Sequence, residues 1–554
     1  MFKRGLNFFL SCSLVFLLNM AEIEVYSQTT KSTNKEPLDN NKNSIIKVSK
    51  LEKPSLGSLG IKTDVNEIMG LDIWTKMKAS DIIEHFNYIP DILLSKSLHI
   101  FLSDLYLTTS NPPIGNSDNI VKFLETRLYK IKSGGESQKL YQLVTQLPGG
   151  KRWDFWKRWQ TEYELINRQD KKACQYVNKK SKVNSDNFWQ MARIFCLAID
   201  GKVNQSEFIL DLIKSRGFSD KIFENLFQII NNNEKTFNLE NEYNKIQPLH
   251  VIMMDTLKIP IKANYIAHFA VEYTDSLLSL TYLTPSARSF LLDKKMNYSF
   301  VNVNEIIENY KSVADGNIDI KKALSSYTKK PNGLNRANVW LAIITMKDEI
   351  KKAESIITFI KLEIRNGRFK DIADLYIPVL EKIDKSSLTK ELNNSINRLM
   401  IISKPNLHPD NSLANIIMLE KDKIWNWEII LKEGAWPIIP IMEKSGMKEP
   451  SSIEWLDYVN STDEKKLDDN SFIRWENSYS LKNFILRKSI EQAADNDRKA
   501  LTVLLIGRLM DDTTLVDFDI NNMITIRSAL IKIGLLDLAD KITYEIMTSK
   551  FINF

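Results

Sequence analysis

Helical periodicity is the feature that most constrains what this chain can fold into. From about residue 64 to the end, apolar residues recur three and four positions apart, which gives each helix one apolar face. The segments 187–199 and 205–216 are neighbouring examples, and a glycine follows each within two residues. Because an apolar face must be covered by another helix, the pattern predicts helices packed in pairs along the chain.

The length of the chain and its turn residues favour the same fold class. A single hydrophobic core stops growing near about 250–300 residues, whereas this chain has 554 residues with only 18 glycines and 16 prolines. So few turn-forming residues disfavour an all-β fold. Gly534 followed by Ala539 matches the small-residue contact of tetratricopeptide-like (TPR-like) hairpins, but their period of about 34 residues is absent. We predict an all-α fold, an irregular TPR-like helical-hairpin solenoid.

The first residues have the features of a secretory signal peptide. Two basic residues precede an apolar stretch at 6–18, and residues 25–27 suit cleavage before Gln28. A membrane anchor needs about 20 apolar residues, more than this stretch offers. We therefore predict a signal peptide at 1–27, a periplasmic location and no stable membrane insertion after cleavage. An uncleaved N-terminal anchor, with the protein facing the periplasm, is the alternative.

Composition divides the rest of the chain into three segments. Residues 28–60 are rich in Thr, Ser, Asn, Lys and Pro, and they have too few large apolar residues to offset the entropy of ordering. This composition predicts a flexible linker. The most polar stretch inside the helical body is the Asn-rich segment 231–244. We accordingly place an N-terminal helical-repeat region at 61–235 and a C-terminal one at 236–554.

Two cysteines, Cys174 and Cys196, remain after the signal peptide. They lie at equal distances from a predicted turn at 183–186, between two segments with helical periodicity. In an antiparallel helical hairpin, positions equidistant from the turn lie opposite one another. An exported protein with one such pair is expected to form a disulfide. Two buried free thiols are the alternative.

Motifs for catalysis or cofactor binding are incomplete in this chain. The segment 149–152 lacks the first glycine and the hydroxyl residue of a phosphate loop. The serine–lysine pairs at 326–329 and 387–390 lack the other motifs of penicillin-binding enzymes. His268 and Glu272 share a helix face, but a lone pair is more typical of a surface contact than of a metal site. We expect no catalytic residue, cofactor or metal.

An aromatic and basic segment is the most distinctive local feature. Its rings and flanking cations are Trp153, Trp156, Trp159, Tyr163, Lys157 and Arg158. One interpretation is a binding face, because aromatic rings with basic edges stack on sugar rings or grip a partner helix. The other is that the rings fill the gap between neighbouring hairpins while the cations remain in water.

Several segments resemble one protein family. They are 71–74, the helix 187–198 that ends at Gly201, Pro248-Leu249-His250 and the final hairpin at 534–545. The resemblance is to an uncharacterised family of exported helical bacterial proteins, some of which carry the label "antifreeze glycopeptide polyprotein". It implies export and a helical-repeat body, and it implies neither a reaction nor catalytic residues.

The functional expectation follows from the architecture and the compartment. Helical arrays expose extended surfaces that suit partners, so we expect a non-catalytic periplasmic scaffold or adaptor that binds a protein of the cell envelope. The alternative is a protein that binds peptidoglycan or oligosaccharide, resembling a transglycosylase ring without its catalytic domain. The net charge of +6 is small for this length, so nucleic acid is not an expected partner.

Overall fold

Helices make up the regular structure of the described part of the chain. The computed structural model describes residues 55–61, 65, 69–232, 243–316, 318–364, 368–450, 480–511 and 514–551. Among the described residues, β-pairing is limited to three isolated parallel bridges, one of which joins Ile261 and Leu283. The prediction of an all-α fold is therefore confirmed. The predicted signal peptide at 1–27, most of the linker at 28–60 and the boundary between 235 and 236 lie outside the described residues.

The helices are numbered here in chain order. The first thirteen are α1 Ala79–Tyr88, α2 Lys96–Leu107, α3 Ser117–Ser133, α4 Ser137–Thr145, α5 Asp154–Ile166, α6 Asp170–Lys180, α7 Asn187–Ile199, α8 Val203–Lys214, α9 Lys221–Asn232, α10 Pro248–Thr256, α11 Ala263–Ile266, α12 Thr274–Leu278 and α13 Pro285–Lys295. The next nine are α14 Val303–Val313, α15 Ile320–Lys329, α16 Gly333–Ile344, α17 Glu349–Ile364, α18 Phe369–Leu380, α19 Lys390–Ser403, α20 Ser412–Met418, α21 Trp427–Lys432 and α22 Ile439–Lys444. The last four are α23 Leu481–Asp495, α24 Lys499–Leu509, α25 Ile520–Lys532 and α26 Leu536–Lys550.

Local sequence signals set many of the helix ends. Ser95 precedes α2 and accepts a hydrogen bond from the backbone N–H of Leu98, which satisfies one of the free donors of the first turn. Asp519 does the same before α25 by accepting from the N–H of Asn521. Gly534 separates α25 from α26 with a φ of +86°, a conformation that glycine adopts without steric cost. Capping residues and glycines therefore define the hairpins that the sequence predicts.

Contacts between helices are of two kinds. Consecutive helices pack in pairs, as α7 with α8, α15 with α16 and α25 with α26. The last helices also contact the first, because α26 packs on α2 and α24 packs on α1. In a solenoid each repeat contacts only its neighbours. The contacts between the first and last helices are not of this kind, so the TPR-like solenoid remains a prediction.

The core consists of two large apolar clusters and a small one. The largest joins the first helices with much of residues 296–551, and the second is built from residues 165–291. The described residues from 55 to 551 form one compact unit by their contacts. Within the described ranges, no helix combines the length and the apolar character needed to cross a bilayer.

Candidate functional site

Cys174 and Cys196 form the predicted disulfide. Cys174 lies on α6 and Cys196 on α7, and these antiparallel partners contact each other. The two Cα atoms are 5.6 Å apart, within the range that a disulfide requires. The expectation derived from the turn between the helices is confirmed.

The three indole rings at the start of α5 and just before it are not exposed. Trp153, Trp156 and Trp159 are 4%, 2% and 3% exposed. Trp156 packs against Tyr129, with the ring centres 5.0 Å apart. The physical reason is that α5 has neighbours on several sides, since it contacts α4, α6, α10 and α12. The burial of these indole rings favours the second interpretation, in which they fill the gap between neighbouring hairpins.

The remaining members of the predicted face have separate contacts. Tyr163 stacks on Tyr141, with ring centres 4.6 Å apart. Lys157 Nζ donates to the carbonyl of Val144 at 3.1 Å, so it closes a contact between α4 and α5. Arg158 differs from these two, because it lines a large cavity, as Trp159 also does.

This cavity, the central cavity, has a volume of about 870 Å³. Its wall comes from α3, α5 and the first turns of α9 and α10, with further residues from 268–273. The side chains that define it here are Lys132, Phe155, Arg158, Trp159, Glu162, Lys221 and Tyr273. Polar atoms contribute more of its surface than apolar atoms do.

Glu162 is the buried carboxylate of the central cavity. Arg158 Nε donates to its Oε1 at 3.1 Å, and the hydroxyl of Tyr273 donates to its Oε2 at 2.7 Å. Burial raises the pKa of Glu162 although Arg158 and Tyr273 stabilise the charged form. Burial, followed by the Glu162 charge, also raises the pKa of Tyr273 well above its usual range. Both oxygens of Glu162 are thus engaged by the protein itself.

Two helices begin at the central cavity. Asp220 caps α9, because its Oδ1 accepts from the N–H of Phe223 at 3.0 Å. Gln247 caps α10 in a reciprocal arrangement with His250, whose Nδ1 accepts from the Gln247 N–H at 3.1 Å. The N-terminus of a helix carries a partial positive charge, so both helix ends add to the basic character of this wall.

His268 and Glu272, which share a helix face in the sequence pattern, lie in separate interactions. His268 Nε2 is 2.8 Å from the carbonyl oxygen of Ile246, whereas Glu272 forms an ion pair with Lys132 at 2.6 Å. In the part of the chain that the structure describes, no group of three or more His, Cys, Asp or Glu side chains is placed to hold a metal ion.

A second cavity, the terminal cavity, lies where the first and last helices meet. Its volume is about 540 Å³, and it is lined by α2, α18 and α26. Apolar atoms contribute most of its surface. The large apolar side chains at its edge that remain exposed to solvent are Leu94, Phe300 and Leu536.

A buried ion pair joins distant parts of the chain beside the terminal cavity. Lys96 Nζ on α2 contacts the carboxylate of Asp371 on α18, and both side chains are largely excluded from water. Burial lowers the pKa of Lys96, and the Asp371 charge opposes this shift. A buried charge that loses its partner is destabilising, so this pair holds α2 and α18 together.

Glu545 on α26 makes a second link to α2. Its Oε1 accepts from the backbone N–H of Ser97 at 3.0 Å and from the Ser97 hydroxyl at 2.6 Å. Ser97 lies in the first turn of α2, where backbone donors have no partner within the helix. Burial raises the pKa of Glu545 despite these hydrogen bonds. The carboxylate therefore acts as a long-range cap that fixes the wall of the cavity.

Sequence reasoning missed the terminal cavity altogether. Lys96 and Asp371 are 275 positions apart, and Ser97 and Glu545 are 448 apart. No local spacing signals such pairs. The available sequence signal was only that α2 and α26 each have an apolar face.

Comparisons with known proteins do not indicate what either cavity binds. No protein-family model matches the chain, and no curated protein or solved structure is significantly similar to it. The resemblance to exported helical bacterial proteins therefore stays a prediction.

Proposed function

We propose that this protein is a non-catalytic scaffold or adaptor of the cell envelope that works in the periplasm and binds a protein partner. The observation that carries the proposal is the terminal cavity, an open and mainly apolar recess of about 540 Å³. Exposed apolar patches bordered by polar residues are typical of sites where proteins associate. The disulfide between Cys174 and Cys196 supports an oxidising compartment such as the periplasm.

The shape of the recess supports a protein as occupant. Leu94, Phe300 and Leu536 come from three separate segments, so together they offer apolar surface in a recess that a partner's side chain fills. The Lys96–Asp371 pair and the Glu545 cap hold these segments in place before binding. A wall that is already ordered reduces the entropy lost on association.

Site-specific crosslinking in cells tests this proposal. A photoreactive amino acid replaces Leu536, which lines the cavity, or Ile485 on α23, which does not; both are 54% exposed. We expect one reproducible envelope protein to be attached at position 536 and not at position 485. Equal attachment at both positions, or none at either, contradicts the adaptor function.

Glycan binding is the second candidate function, and one observation favours it. The central cavity combines hydrogen-bonding groups with the half-exposed ring of Phe155. Pockets for polar ligands place a few polar groups around apolar and aromatic walls in this way. The candidate no longer depends on an exposed row of tryptophans. Binding of peptidoglycan fragments to the purified protein tests it.

A further inference from the structure

We propose that the central cavity binds an anionic saccharide, a sugar with a carboxylate that lies near Lys221 and Arg158. The inference rests on the glycan candidate above and is independent of the adaptor function. It specifies which chemical class of glycan the wall selects.

The central cavity is lined by more basic than acidic side chains. The basic side chains are Lys132, Arg158, Lys221 and Lys245, and the acidic ones are Glu162 and Asp220. Glu272 also forms an ion pair with Lys132, so the basic groups at the cavity exceed the acidic ones by four to three. Glu162 accepts from Arg158 and Tyr273, and Asp220 caps α9. Neither carboxylate is left to take up a cation from solution.

Among the basic side chains that line the cavity, Lys221 interacts least with the rest of the protein. It is exposed, it lines the cavity, and it forms no ion pair with any residue in the described ranges. Arg158 donates to Glu162 only through Nε, and its side chain is 41% exposed. Its guanidinium lies over the ring of Phe188 at 4.4 Å, which fixes its orientation. An arginine held in this way presents its remaining donors in a fixed geometry to an oxyanion.

The two helix ends add to this positive character. The helix α9 has 12 residues and α10 has nine, and both begin at the cavity. The positive end of each helix dipole favours an anion. Asp220 offsets part of this effect at α9, whereas the side chain that caps α10, Gln247, is neutral.

The uncharged part of the wall suits a sugar ring. Phe155, which is 48% exposed, provides aromatic surface, and an aromatic face packs on the C–H groups of a sugar. Ser219, Asn244 and Gln247 add neutral polar groups that suit hydroxyl and amide substituents. A bare inorganic anion makes no use of the aromatic surface.

Calorimetric titration of the full-length processed protein with two matched disaccharides tests the inference. The probes are N-acetylglucosaminyl-N-acetylmuramic acid and N,N′-diacetylchitobiose, which share their two-ring framework and differ in the O-lactyl group that carries the carboxylate. At low salt we expect the acidic disaccharide to bind at least about tenfold more tightly. Lys221→Gln is expected to bring the ratio of the two affinities close to one.

A matched lysine variant serves as the control. Lys390 is also exposed and is also the first residue of a helix, α19, but it does not line the cavity. Lys390→Gln is expected to leave the preference unchanged. If Lys390→Gln reduces the preference as much as Lys221→Gln does, the assignment of the anion to the central cavity is overturned.

The outcomes separate this inference from the functions proposed above. Equal binding of the two disaccharides overturns the anionic preference and leaves the glycan candidate standing. Binding of neither disaccharide overturns both, while crosslinking at position 536 still decides the adaptor function. Inorganic phosphate that competes as well as the acidic disaccharide shows a general anion site and overturns the saccharide assignment.

Discussion

The terminal and central cavities differ in how the chain builds them. The terminal cavity brings together residues near 96, 371 and 545, whereas the residues that line the central cavity all lie between 132 and 273. The first has a mainly apolar wall stabilised by buried charges, and the second has a polar wall with an excess of basic groups. This difference is the basis on which we propose two kinds of occupant, apolar side chains of a protein for the terminal cavity and an anionic sugar for the central cavity.

Breaking the buried ion pair is expected to have the largest effect. Asp371→Ala removes the partner of Lys96 and leaves a buried ammonium uncompensated. We expect the free energy of unfolding, measured with urea at neutral pH, to fall by about 3–5 kcal/mol.

Another aspartate at the same cavity supplies the control. Asp537 pairs with Lys541, but both side chains are exposed, so Asp537→Asn is expected to cost less than about 1 kcal/mol. Similar losses in the two variants contradict a structural role for the Lys96–Asp371 pair.

Removal of the disulfide is expected to lower the free energy of unfolding. Both cysteines belong to the part of the sequence, 132–273, that lines the central cavity. Cys174 and Cys196 are separated by 22 positions, and a loop of this size corresponds to about 3 kcal/mol of stabilisation. The double variant Cys174→Ser/Cys196→Ser should unfold at correspondingly lower urea concentration. A reductant should lower the stability of the unmodified protein equally and leave the double variant unchanged. An effect of reductant on the double variant contradicts this account.

Salt is expected to distinguish the occupants of the two cavities. Raising ionic strength from about 50 to about 200 mM shortens the screening length. Affinity for the acidic disaccharide should fall by about threefold, measured by calorimetry. The yield of the protein crosslink at position 536 should stay constant, because the wall of the terminal cavity is mainly apolar. The reverse pattern contradicts the division of roles between the cavities.

Protonation of Glu545 should give the smallest effect. Burial raises the pKa of Glu545 in the folded protein, so the folded state holds this proton more tightly than the unfolded state does. The stabilisation by Glu545 is therefore complete below its unfolded pKa and is lost as pH rises to its folded pKa.

Urea unfolding across this pH range is the measurement. In Glu545→Gln the decline should be smaller than in the unmodified protein, because only the contribution of Glu545 is removed, while the amide oxygen still accepts from the Ser97 N–H. The same decline in the variant and the unmodified protein contradicts a raised pKa at this site.

Local features of the sequence predicted part of this structure. The turn at 183–186 predicted the disulfide, because a hairpin with this turn places Cys174 opposite Cys196. The aromatic segment at 153–163 allowed both a binding face and a buried contact, and only the packing of neighbouring helices on α5 decides that its indole rings are buried. The Lys96–Asp371 and Ser97–Glu545 links depend on packing between distant helices, which no local spacing encodes.

Crosslinking from both cavities in the same cells tests the central claim most directly. The photoreactive residue is placed at Leu536 in the terminal cavity or at Phe155, which is 48% exposed, in the central cavity. The account predicts a single protein adduct from position 536 and no protein adduct from position 155. A protein attached reproducibly at position 155, with none at position 536, would contradict it.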